Sequence, residues 1–186
     1  MANRPVLDSI GIALARGQYV EAAALHPLAP QLATLVQRAM RAVRLTRLHG
    51  KTTLASKTSH VKSLGCLVGC LFEYHVSRLL TTHCGYAFEA QRKKMDCDIV
   101  CHAAPILSFE LKTTTHSRDI VGNRSATQST KEGSFLLAVN YDSKTLTVRS
   151  VRFGWVDCEC WIPQNGTGQR SRLSTWAQEY RMMPCL

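Results

Sequence analysis

The chain has 186 residues, enough for one domain with a substantial core and too few for two of ordinary size. Apolar residues make up 45% and charged residues 19%, which excludes a largely disordered chain, and no apolar run is long enough to cross a bilayer. Lys plus Arg number 23 against 13 Asp plus Glu, a net charge of +10, which points to a polyanionic partner, nucleic acid first.

In chain order, a short helix is expected near Leu7 to Leu25. Its apolar stretch, Ile10 to Ala15, is brief and runs into Arg16 rather than a small-residue cleavage site, so the expected compartment is the cytoplasm. Pro27 and Pro30 separate it from a second helix, in which Leu32, Leu35, Val36, Ala39 and Val43 recur on one face and Gly50 is placed as the stop. No acidic residue occurs between Glu21 and Glu73. That stretch carries Arg38, Arg41, Arg44, Arg47, Lys51, Lys57 and Lys62, which suit either phosphate contact or a solvated surface. A third helix is expected from about Val61 to His83, closed by Gly85, with Leu64 to Phe72 buried.

From Tyr86 the texture becomes β-like. Asp98 to Cys101 and Ile106 to Lys112 read as two strands of a hairpin, with Ala103 to Pro105 as its turn. A polar segment containing Gly122 and Gly133 follows and reads as a helix or irregular loop. Ser134 to Tyr141 and Thr145 to Val156 read as two more strands, joined by Asp142 to Lys144. A turn at Asn165 to Gly168 and a last helix from Ser171 to Arg181 complete an α/β chain, a mixed α+β sheet covered by helices. The expected organisation is a single domain over 1–186, with a helical section at 1–60 and a core at 61–186.

The eight cysteines lack the repeated two-residue gaps of zinc fingers or ribbons. Buried thiols fit them best, with a metal pair at Cys97 and Cys101 left open. Trp155, Trp161 and Trp176 suit a core or interface rather than stacking platforms.

Asp98, Glu110 and Lys112 carry the chemistry. In a hairpin, Asp98 opens one strand while Glu110 and Lys112 project from one face of the next. Two converging carboxylates repel unless a cation lies between them, and oxygen donors without imidazole or thiolate suit Mg²⁺. A neighbouring lysine can stabilise an attacking water as hydroxide, which equips the cluster for phosphodiester hydrolysis. An exposed Glu-x-Lys ion pair of little consequence is the competing reading. Against it stand the apolar Phe109 and Leu111 between the charges and the basic run Arg92 to Lys94 just before. Glu73 lies at the helical spacing of Gly69, Val76 and Leu80, so it belongs to the apolar face; an accessory role at the site and an ion pair with Arg78 are both open.

At these residues the chain resembles the PD-(D/E)XK nuclease superfamily, and within it the type II restriction endonucleases. The matching pieces are Gly69 to Glu73, Asp98 to Val100, and Phe109 to Lys112 followed by Thr113 to Thr115. Cys97 stands where the motif has proline, and Asp96 offers a second register on the same strand face. The resemblance implies a core with a mixed sheet of four to five strands, Mg²⁺-dependent cleavage of double-stranded DNA, and a homodimer on a twofold site. It implies Asp98 and Glu110 as metal ligands, Lys112 as the water-orienting residue and Glu73 as an accessory acid. DNA contacts are expected at Thr113, Thr114, Asn123, Arg124, Gln128, Arg152, Gln169 and Arg170, since Asn, Gln and Arg side chains suit base edges and phosphates. Lys144, Arg149 and Arg172 are further phosphate candidates. A junction resolvase of the same fold and a non-catalytic DNA-binding protein are the alternatives.

Overall fold

The computed structural model describes residues 4–49, 52–54, 64–83, 88–90, 97–116, 119–123, 133–164 and 170–186. Helices α1 (Arg4–Ala15) and α2 (Tyr19–Leu25) stand in place of one helix over Leu7 to Leu25. Gly17 breaks them apart: its φ of 71° is the left-handed conformation that ends helices and that other residues resist. Helix α3 (Leu32–Leu45) buries Leu32, Leu35, Val36, Ala39, Met40 and Val43, the predicted stripe. It stops at Leu45, short of the expected Gly50, because the chain turns into a small hairpin, β1 (Arg47–His49) with β2 (Thr52–Thr53), and the Leu54 amide donates to the Thr46 carbonyl at 2.8 Å. Helix α4 (Leu64–His83) carries the third apolar face, with Val68, Phe72, Val76 and Leu80 fully buried.

The main sheet has six strands, in the order β11-β8-β7-β5-β4-β3, rather than the four or five expected. They are β3 (Phe88–Ala90), β4 (Ile99–Cys101), β5 (Phe109–Thr114), β7 (Ser134–Tyr141), β8 (Val148–Val156) and β11 (Met182–Pro184). Among the described strands of this sheet only the β5–β7 pair is parallel. A parallel pair needs a crossover, and this one carries β6 (Val121–Asn123). β6 joins a second sheet, β6-β10-β9, with β9 (Trp161–Pro163) and β10 (Arg170–Leu173).

Other boundaries moved for local reasons. β5 begins at Phe109 rather than Ile106, because Pro105 to Leu107 form a turn of 3₁₀ helix whose following Ser108 hydroxyl accepts from the Cys101 amide at 3.0 Å. β8 begins at Val148 rather than Thr145, since the Asp142 carboxylate accepts from the Lys144 and Thr145 amides and Leu146 takes a left-handed φ of 53°. The expected last helix from Ser171 is a strand up to Leu173; the helix, α5 (Thr175–Tyr180), starts where the Ser174 hydroxyl caps it by accepting from the Ala177 amide. The stretches around Val61, Gly85, Arg92 to Lys94, Asp96 and Asn165 to Gly168 lie outside the described residues.

The sheet has two different faces. Phe109, Leu111, Phe135, Leu137, Val139, Tyr141, Val151 and Phe153 point to the helical layer and form one cluster with the buried residues of α1 to α4. Leu136, Ala138 and Val156 point the other way, onto Ile120, Cys160, Leu173, Ala177 and Met182. Trp155 meets Phe135 edge-on at 5.0 Å, Trp161 packs partly buried in the second cluster, and Trp176 is half exposed.

Candidate active site

Strand alternation decides which residues meet. Ile99 pairs with Phe109 in the β4–β5 hairpin, and both side chains enter the helical core. Asp98 and Glu110, one residue earlier and later, therefore face each other on the opposite side of the sheet, and Lys112 follows Glu110 on that side. The Asp98 carboxylate accepts from the Leu111 amide at 2.8 Å and from Lys112 Nζ at 2.9 Å through the same oxygen. Lys112 Nζ also donates to Glu110 Oε2 at 3.2 Å. The three predicted groups are thus brought together, with the ammonium bridging both carboxylates.

The cluster is sheltered, its side chains only 12% (Glu110), 18% (Asp98) and 24% (Lys112) exposed. Burial pushes the Asp98 carboxyl up, but the Lys112 ammonium and the Leu111 amide outweigh it and hold Asp98 below the usual carboxylate range. Burial likewise works against the Lys112 charge, and Asp98 and Glu110 overcome it, so the ammonium is held more tightly than in water.

Glu73 sits half-buried on α4. Its carboxyl is raised by burial and by the charges of Asp98 and Glu110, while Lys112 opposes them, which places Glu73 within electrostatic reach of all three. Gly69, one turn earlier, marks where α4 meets β5: a Cβ there would make ordinary contact with Thr113 Oγ1 at 3.5 Å. Arg78, the alternative partner for Glu73, reaches back to the Tyr74 hydroxyl at 3.3 Å.

The donor set suits one class of metal. Two facing carboxylates without imidazole or thiolate fit Mg²⁺, which commonly takes one or two carboxylates and completes its octahedron with water and substrate phosphate. Among the described residues no group of three His, Cys, Asp or Glu converges on one point. Asp98 and Glu110 therefore offer an open type of site, one whose remaining positions water and substrate phosphate would fill.

The expected DNA-contact residues separate. Thr114 shares the Lys112 face, its hydroxyl donating to the Asp119 carbonyl at 3.0 Å, whereas Thr113 turns toward α4. Arg152, on β8, lies on the Lys112 face two strands away. Asn123 and Arg170 are register partners at one end of the β6–β10 ladder. Arg124, Gln128 and Gln169 lie outside the described residues. Of the further candidates, Arg149 pairs with Asp142, and Arg172 lies 3.6 Å from Asp119.

Two polar residues on this face were not anticipated. Asn140 is 6% exposed, and its amide donates to the Thr114 carbonyl at 3.2 Å; its signal in sequence is an amide inside the apolar run Phe135 to Tyr141. Gln178, 8% exposed, accepts from Arg152 Nη1 at 3.2 Å, a pairing across 26 positions that no local pattern announces.

A model of the ScaI restriction endonuclease family matches residues 15–186. The chain belongs to that family. The type II restriction enzyme ScaI of Streptomyces caespitosus is 30% identical over 101 residues, covering 47% of this chain and 44% of that enzyme. The aligned region thus spans less than half the length of this curated relative. No described helix is long and apolar enough to cross a membrane.

Proposed function

We propose that this member of the ScaI family is a type II site-specific deoxyribonuclease that hydrolyses phosphodiester bonds of double-stranded DNA with Mg²⁺, on a PD-(D/E)XK core spanning one domain. The observation that carries the reading is the Asp98–Lys112–Glu110 cluster: two sheltered carboxylates facing one another across a hairpin, with a lysine at bonding distance from both. In this reading Asp98 and Glu110 hold the metal, which supplies positive charge to the phosphate as it gains negative charge in the transition state. Lys112 stays protonated and orients the attacking water, stabilising it as its proton leaves. Glu73 is an accessory carboxylate beside the pair. Asn123, Arg152 and Arg170, with Arg124, Gln128 and Gln169, contact DNA; Thr113 and Thr114 support the strand that carries Lys112.

A twofold homodimer would set one such site on each strand, which is how a small domain makes a double-strand cut. Such an enzyme works in the cytoplasm, where its DNA is. Incubation of the purified protein with plasmid and Mg²⁺ tests the reading. Discrete fragments support it; cleavage confined to branched DNA would favour a resolvase, and intact DNA under all conditions would leave a binding protein.

A further inference from the structure

The face that carries Lys112 continues across the sheet in register. Lys112 on β5 pairs with Ala138 on β7, and Ala138 pairs with Arg152 on β8, so the three side chains form one row. The Lys112 ammonium is drawn toward Asp98 on β4, and the Arg152 guanidinium toward Gln178 on α5. Between them the row holds only a methyl group. The next row, Thr114, Asn140 and Ser150, is polar throughout. Together Ala138 and Asn140 floor a small depression bordered by Thr114, His116, Ser150, Arg152 and Gln178, and among the described residues no carboxylate lines it. Arg152 is held in place: Gln178 accepts from Arg152 Nη1, while the Gln178 Nε2 donates to the Leu173 carbonyl at 3.2 Å.

We propose that the backbone phosphate next to the scissile one rests on the rim of this depression, with Arg152 as its anion contact and Gln178 as a positioning residue acting through Arg152. The inference rests on the nuclease reading above, which places the scissile phosphate at Asp98, Glu110 and Lys112. Arg152 lies in the same row as Lys112 two strands away, about 9.6 Å between their backbones, a span that the long Arg152 side chain shortens toward the advance from one phosphate to the next along a strand. A guanidinium fixed by a buried amide also loses less freedom on gripping an anion than one free in solvent.

The test is binding of a short random-sequence duplex in Ca²⁺ at several salt concentrations, with plasmid cutting in Mg²⁺ followed in parallel. Arg152→Ala should weaken binding roughly tenfold or more and reduce the log–log salt slope by about 0.9, the loss of one phosphate contact. Gln178→Glu keeps the acceptor but sets a carboxylate against Arg152, so it should reproduce both changes. A purely structural role for Gln178 would lower the melting temperature, since Glu cannot donate to the Leu173 carbonyl, yet leave the salt slope at the wild-type value, and that result would overturn its positioning role. Gln178→Leu should weaken binding in the wild-type background and add nothing in the Arg152→Ala background; additive losses would contradict action through Arg152.

An unchanged slope in Arg152→Ala while the wild-type protein still cuts would remove the phosphate contact and leave the nuclease reading standing. Wild-type protein that neither binds nor cuts would overturn both. A loss that depends on base sequence, seen as an altered plasmid fragment pattern, would make Arg152 a base reader and also overturn the proposal.

Discussion

On the helix-covered face of the sheet, His26 is buried among Phe109, Phe135 and Phe153. On the opposite face the charged groups Asp98, Glu110 and Lys112 pack against one another. His26 is buried as a neutral ring: Nε2 bonds the Leu107 carbonyl and Nδ1 accepts from the Leu28 amide, both at 3.2 Å. With both nitrogens occupied there is no place for a second proton, and burial lowers its pKa to about 4. In the cluster behind it, each carboxylate is paired with the lysine instead. Neutral and satisfied polarity serves the core, while paired charge in a sheltered opening can meet a cation and a phosphate. Strand parity assigns the two, since Phe109 and Leu111 face one environment and Glu110 and Lys112 the other.

The largest expected break in this contrast is chemical. Asp98→Asn or Glu110→Gln should lower Mg²⁺-dependent cleavage by roughly 10²–10³-fold or more, the scale of losing one preorganised electrostatic group, while the melting temperature changes little. A melting temperature that collapses with activity would instead make the cluster structural.

Next comes the sheet edge that both faces share. A Cβ at Gly154 would overlap the Arg181 carbonyl and stand 2.7 Å from Met182 Cα. Gly154→Ala should therefore cost about 1–3 kcal/mol or more, read as a lower urea midpoint, and an unchanged midpoint would refute the close approach of β11.

The core histidine gives a pH signature of similar size. Its folded pKa of about 4 lies below its unfolded value of 6.5, so the unfolded chain binds the proton more readily between these limits. Stability from this residue is complete above pH 6.5 and falls as pH drops toward 4, by about 3 kcal/mol in all. Urea midpoints across that window should fall for the wild type and flatten in His26→Leu, which starts from a lower stability; a slope shared by both would exclude His26 as the source. Smallest is the α5 cap, where Ser174→Ala should cost about 1 kcal/mol by the same measurement.

Much of the site could be read from the chain because its parts are close in sequence. Asp98, Glu110 and Lys112 lie on one hairpin, and their alternation with Phe109 and Leu111 carries the face assignment. The stripe of α3 and the run of β7 are long enough for periodicity to show. What escaped has no such run: β3, β6, β9 and β11 have three residues each and are strands through their partners rather than their own pattern. The Arg170 to Leu173 segment favoured the wrong element for that reason, since its β10 pairings with β6 and β9 are long-range. Arg152 was legible as a basic residue, but the amide that fixes it was not.

The most direct test of the account compares Lys112→Ala with the wild type on the same plasmid. The variant should lose cleavage in Mg²⁺ yet bind DNA in Ca²⁺ with nearly unchanged affinity. Cleavage at the wild-type rate by Lys112→Ala would contradict the role given to Lys112 and move the active centre elsewhere in the molecule.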